Sequence, residues 1–287
     1  EAAAVQGYAH AQYNLACMHH NGHGVGGINL EEASRLYRLA AVQGNIDAQY
    51  NLASLLFQEQ KDQTHNDAEA VHLWKLAAHQ GHPHAQKSLG FMYATGRGGL
   101  KASDEEAVLW YRKAADQGLK GAQCSLALMF SEGRGVKQSH SKAARWYRKA
   151  AAQNDPEAMY SLAVMYDEGR GVEQNSEEAL RLYRCAAEQN YPDALFNLGV
   201  MAETGDGVEK DLIEAAGLYR RAANLGDANA QHSLGLMYRD GLVGTADSNS
   251  IIDIRELGDS DISEVADNNS DVEAARLFHL AARQGLP

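Results

Sequence analysis

No stretch of eighteen apolar residues occurs in this 287-residue sequence, so nothing in it is long and apolar enough to cross a bilayer as a helix, and no membrane insertion is expected. Cysteine is scarce: Cys17, Cys124 and Cys185 lie far apart, so intrachain disulfides are not expected. Reduced thiols fit the cytosol, and the Asn-x-Ser sequon at Asn268 leaves the endoplasmic-reticulum lumen open as the alternative compartment. Basic residues are outnumbered, 26 Lys and Arg against 38 Asp and Glu for a formal charge of -12, which argues against a phosphate-binding footprint and so against nucleic acid. Neither a Walker loop nor an H-E-x-x-H string is present, so the chain reads as no enzyme, with no small-molecule substrate and no cofactor. Zinc wants three or four convergent ligands, whereas His19 takes a recurring helix position, His20 and His23 flank a turn, and His79, His82 and His84 straddle the end of a recurring helix, so no metal is expected at them.

What the sequence does have is a repeat. Ala11, Ala48, Ala85, Ala122, Ala158, Ala194 and Ala230 stand 37, 37, 37, 36, 36 and 36 residues apart. Each unit opens with an apolar stripe at helical spacing, as at Ala158, Leu162 and Met165, which predicts a first helix, helix A. Its sixth position is always small (Ala16, Ala53, Gly90, Ala127, Ala163, Gly199, Gly235), as close approach of a partner helix requires. A glycine-rich turn follows, for example "GRGV" from Gly169, and then a cap residue with glutamate three places on in six of seven units, Lys142 being the exception. This predicts helix B, centred on an aromatic residue (Tyr37, Trp74, Tyr111, Tyr147, Tyr183, Tyr219, Phe278) flanked by alanines, with Gly or Asn seven places beyond it as terminator. The basic residue after each aromatic reads as a solvated or internally paired face rather than a binding stripe.

The expected division is the end of a preceding repeat at 1–10, then repeats at 11–47, 48–84, 85–121, 122–157, 158–193, 194–229 and 230–287. The last carries an acidic insertion at about 243–268 that is expected to be a disordered loop, with Ile251, Ile252, Ile254 and Leu257 as a possible recognition segment. Because the chain opens inside a helix B and closes without a covering helix A, it reads as part of a longer protein.

The stretch "SLAVMYDEGRGVEQNSEEALRLYRCAAEQN" from Ser161 to Asn190 resembles the Sel-one-like repeat (SLR), a relative of the tetratricopeptide repeat. The resemblance implies an all-α fold, a right-handed α-solenoid of antiparallel helix pairs. It also implies a non-catalytic scaffold or adaptor that assembles multi-protein complexes through a helix A groove, with other proteins or peptides as partners. Family members that work beside membrane ubiquitin ligases make endoplasmic-reticulum quality control one expected setting; a regulatory or substrate-docking segment of a larger enzyme, such as a kinase, is the alternative. The second unit departs from the pattern, since "FQEQKDQTHND" from Phe57 lacks the turn glycines.

Helix A geometry of the related tetratricopeptides places the third and seventh positions of each unit in that groove. Unlike the scaffold positions they vary, and the candidate partner-binding residues are Tyr13, Tyr50, Phe91, Tyr160, Phe196 and His232, with Asp167 and Glu168 in an acidic rim that also includes Glu132, Glu203 and Asp240.

Overall fold

Helix boundaries follow from the caps. Asn29 Oδ1 accepts the Glu32 N–H at 2.9 Å, Ser103 Oγ that of Glu106 at 3.2 Å, and Asn175 Oδ1 that of Glu178 at 3.0 Å, so helix B starts in these repeats where the sequence places a cap. In the second and seventh repeats it starts earlier, at Gln63 and Asn269, and the expected caps Asn66 and Ser270 lie inside the helix. The cap N–H that a box would offer the glutamate goes to a helix A carbonyl, Asn29, Ser103 and Asn175 donating to His19, Tyr93 and Tyr166 at 2.8–2.9 Å. Instead Glu32 and Glu178 form two-pronged pairs with Arg35 and Arg181 one turn later, at 2.6 and 2.7 Å. At the other end, Gly44, Gly81, Gly118 and Gly226 take positive φ, and Asn154 and Asn190 do the same at 58° and 57°, the terminator role expected for them.

The computed structural model describes residues 2–58, 63–247, 250–253 and 269–286. Its helices are α1 Ala2–Val5, α2 Ala9–Asn21, α3 Leu30–Val42, α4 Ile46–Gln58, α5 Gln63–His79, α6 Pro83–Thr95, α7 Asp104–Asp116, α8 Lys120–Glu132, α9 His140–Ala151, α10 Pro156–Asp167, α11 Ser176–Glu188, α12 Pro192–Thr204, α13 Leu212–Asn224, α14 Ala228–Arg239 and α15 Asn269–Arg283. The fold is an all-α solenoid of antiparallel helix pairs, α2 with α3, α4 with α5, α6 with α7, and onward in the same way. Two compact units, Glu1–Ala150 and Ala151–Pro287, divide it.

Each pair closes over the small sixth position. A Cβ added to Gly90 would lie 2.7 Å from the Tyr111 ring, and one added to Gly199 would lie 2.6 Å from the Tyr219 ring, so the helix B aromatic rests directly on the helix A backbone. Successive pairs are joined by a polar seam that hydrophobic patterning does not reveal. Gln12, Gln49, Gln86, Gln123 and Gln231 are buried, and each donates through Nε2 to a carbonyl eight residues earlier (Ala4, Ala41, Ala78, Ala115, Ala223) at 3.1–3.3 Å. Four of their Oε1 atoms accept from a glutamine at the end of the same repeat's helix B: Gln43, Gln80, Gln117 and Gln284, at 2.8–3.1 Å. A buried polar group needs such partners, and here it joins three helices. Where Leu195 replaces the glutamine, Arg221 donates to the Ala187 carbonyl at 2.9 Å in its place.

The turn glycines make a second seam. Arg97 and Arg134 reach back thirty residues to Asp67 and Asp104, each at 2.8 Å, at or near the start of the preceding helix B. A Cβ on the adjoining Gly98 or Gly135 would strike the Asp67 or Asp104 carbonyl at 2.6 or 2.2 Å.

The acidic insertion opens differently from the expected disordered loop. Val243–Asp247 (β1) and Ser250–Asp253 (β2) pair antiparallel, Val243 opposite Asp253 and Thr245 opposite Ile251, with both strands beside α13. The β-branched residues Val243, Thr245, Ile251 and Ile252 favour a pleated conformation, and the buried Val243 anchors the first strand. Ile254, Leu257 and the rest of the insertion to 268 lie outside the described residues.

Candidate functional site

The third helix A position stands over the helix B aromatic of its own repeat. Ring centroids are 6.0 Å apart for Tyr13 and Tyr37, 5.9 Å for Tyr160 and Tyr183, 5.6 Å for Phe196 and Tyr219, and 5.6 Å for His232 and Phe278. These four side chains are half-buried, so packing holds one face of each and leaves part of the other to solvent. Several also touch the next turn: Tyr160 lies 5.4 Å from Tyr191, and Tyr50 stacks on His82 at 4.6 Å. Burial, with the adjacent Cys17, pushes the Tyr13 hydroxyl up to about 12, and burial raises Tyr160 above its ordinary value as well.

The tenth helix A position, which the sequence reading passed over, decides how polar each site is. His20 Nδ1 meets the Tyr37 hydroxyl at 3.4 Å, and the Tyr219 hydroxyl donates to Glu203 at 2.7 Å. In the second repeat both partners are apolar: Phe57 takes the tenth position and packs 5.4 Å from Trp74. Phe57 also lies edge-on to Phe91 at 6.2 Å, with the Arg97 guanidinium 4.5 Å from its ring.

This departure produces a cleft of about 440 Å³ in the unit Glu1–Ala150, walled by Tyr50, Phe57, Trp74, Phe91 and Tyr111, with Lys87, His84 and serines at its mouth. It brings together two of the expected residues, Tyr50 and Phe91. Phe91 is 41% exposed, an unusual state for a large aromatic, and it offers the cleft an apolar edge. Tyr13 is not in its wall, and Tyr160, Phe196 and His232 belong to the unit Ala151–Pro287, where each contributes its own half-buried ring.

The acidic rim is partly spent internally. Glu132 pairs with Arg134 at 3.5 Å, Glu168 with Arg170, and Asp240 with Arg239 at 2.7 Å, all exposed pairs of little energetic weight. Asp167 differs: burial, then Asp206 and Glu168, raise its carboxyl above the ordinary value. Two histidines of the second group serve the scaffold. His82 Nδ1 accepts the Ala85 N–H at 3.1 Å as the cap of α6, His79 Nδ1 contacts the Lys75 carbonyl at 2.7 Å, and burial lowers the His82 pKa despite Asp47 at 3.5 Å.

The Sel1 repeat matches at residues 9–45, 46–82, 83–119, 121–155, 156–191, 192–227, 228–250 and 268–286, so the last two matches flank the insertion. The chain belongs to the Sel1 repeat family. No curated protein matches it. Among solved structures, a Sel1 repeat protein from Oxalobacter formigenes is similar at 31% identity and a TM-score of 0.75, over 99% of this chain and 74% of its own. A protective antigen present in uropathogenic Escherichia coli strains, displaying an SLR fold, is similar at 30% identity and a TM-score of 0.76. That match covers 98% of this chain, which spans only 55% of the antigen. Sel1 repeats typically serve protein–protein interaction, and the half-buried aromatic row is of a kind with that use.

Proposed function

We propose that this chain is a non-catalytic docking scaffold that captures a peptide or protein segment by an aromatic or aliphatic anchor seated between Tyr50 and Phe91. The observation that carries the reading is Phe57 packed on Trp74, which makes this cleft apolar where the first and sixth repeats place a tyrosine hydroxyl against a polar side chain. Scaffold packing alone is satisfied by either arrangement. The cleft is also the place where the exposed edge of Phe91 has no intramolecular use for its remaining surface. Within the unit Ala151–Pro287, Tyr160, Phe196 and His232, with Asp167 and Glu168, would offer partner contacts of their own, separate from the cleft. Placing the scaffold in endoplasmic-reticulum quality control, or in cis to a kinase, draws no support from the two solved relatives, and the proposal does not depend on either.

Selection of a displayed random-peptide library on the full chain tests the proposal. Enriched peptides should share an aromatic or aliphatic anchor and should lose about tenfold or more in affinity against Phe91→Ala, the effect of removing one interface hot spot. Peptides that bind Phe91→Ala and Tyr50→Ala as tightly as the parent would overturn it.

A further inference from the structure

The fourth repeat breaks a rule that the others keep. Glutamate stands three places after the helix B cap in six of seven repeats, and Lys142 stands there in the fourth. In the first and fifth repeats that glutamate pairs with Arg35 or Arg181, and Glu273 does so with Arg276 at 3.3 Å. Arg145 occupies the same place relative to Lys142 and forms no ion pair among the described residues. A cation in the first turn also opposes the helix dipole. Scaffold physics therefore favours glutamate here, and lysine forfeits both stabilising terms.

The reversal gathers positive charge. Between Arg112 and Lys149 there are nine Lys and Arg against two carboxylates, a balance of +7 in a chain of -12. Arg112, Lys142, Arg145 and Lys149 ring a pocket of about 350 Å³ on the helix B side, floored by Phe130 and Trp146, with Asp116 its single carboxylate. Lys149 lies 4.0 Å from the Trp146 ring centroid, and Arg112 and Lys142 flank the Phe130 ring at 5.7 and 5.4 Å. The charged ends of Arg112, Lys142 and Lys149 thus lie against aromatic rings, and none of the three forms an ion pair among the described residues. The apparent shortage of clustered basic residues in the overall composition thus conceals one local cluster.

We infer that this pocket is a second docking site, distinct from the Tyr50–Phe91 cleft, and that it takes an acidic peptide segment of a partner protein: carboxylates on either side of one apolar side chain. Charge complementarity selects the acidic segment, and the Phe130–Trp146 floor selects the apolar residue between its charges. An extended polyanion is disfavoured, because the cations surround one pocket while the surrounding chain carries strong net negative charge.

The test uses the full chain and fluorescein-labelled peptides EELFEE, QQLFQQ and KKLFKK, read by anisotropy. EELFEE alone should bind, and more weakly as salt rises. Lys142→Glu restores the repeat's own glutamate beside Arg145, so it should raise the melting temperature while weakening EELFEE by about tenfold or more. A folded, more stable variant that has lost binding excludes unfolding as the cause. Phe91→Ala should leave EELFEE binding intact, so this site and the cleft stand or fall separately. The inference is overturned if EELFEE does not bind, or binds Lys142→Glu equally. It is also overturned if oligo-dT or phosphatidylserine vesicles bind the pocket in preference, or if sedimentation shows Lys142 to mediate self-association instead.

Discussion

Replacing Gln86 by leucine, the residue that the sixth repeat carries at the equivalent Leu195, isolates the polar seam. Gln86 is buried, donates to the Ala78 carbonyl at 3.1 Å and accepts from Gln117 at 2.8 Å. Neither partner is left wholly unsatisfied, because Ala78 O still accepts the Gly81 N–H at 3.0 Å and Gln117 still donates to the Gly81 carbonyl at 3.0 Å. The loss is therefore two net hydrogen bonds of about 1 kcal/mol each, about 2 kcal/mol together, rather than the larger penalty of an orphaned group. A rescue is written into the sixth repeat, where Arg221, two residues past the aromatic, reaches both Ala187 O and Asn190 Oδ1 at 2.9 Å. The equivalent residue in the third repeat is Lys113, and its target terminator is Gly81, which has no side chain to accept. Adding Lys113→Arg to Gln86→Leu should thus restore one bond of the two, about 1 kcal/mol. Native-state hydrogen exchange suits a repeat array, where opening is local: amides of α5 and α6 should exchange about thirtyfold faster in Gln86→Leu, with the Gln231 seam unchanged as internal control. Less than a twofold change, equal loss at both seams, or no recovery from Lys113→Arg would refute the reasoning.

Gly199→Ala should destabilise the unit Ala151–Pro287 by about 1–3 kcal/mol, because its Cβ would lie 2.6 Å from the buried Tyr219 ring, and Gly199→Leu, which adds a branched side chain at the same place, should cost more; equal urea midpoints for the two would contradict this. His82 gives a pH signature. Burial holds its folded pKa below 6.5, so the unfolded chain takes the proton first; stability is full above that value and declines as pH falls through the folded pKa. His82→Asn keeps a side-chain acceptor for the Ala85 N–H without titrating, and should flatten the melting temperature across that window.

The repeat, its caps and its terminators are legible in the sequence because identical local chemistry recurs in every unit: Asn154 and Asn190 could be read as left-handed terminators without any structure. The glutamine seam is invisible to hydrophobic patterning, which passes over a buried polar residue, yet its signal stands in Gln12, Gln49, Gln86, Gln123 and Gln231 at one repeat position. The cleft was half visible. Tyr50 and Phe91 stood out as variable helix A aromatics, but that Phe57 joins them depends on which side chain meets Trp74 in space. Lys142 was visible as an exception, and its consequence was not, because Arg112 and Lys149 reach the same pocket from different helices. For the insertion, acidic composition outweighed the β-branched residues that pair Val243–Asp247 with Ser250–Asp253.

The most direct measurement of the docking reading is photo-crosslinking from the anchor position of a library-selected peptide, with the attachment site mapped by mass spectrometry. Crosslinks should fall on α4 and α6 between Tyr50 and Phe91 and should disappear in Phe91→Ala. Crosslinks confined to helix B surfaces, or unchanged in that variant, would contradict it.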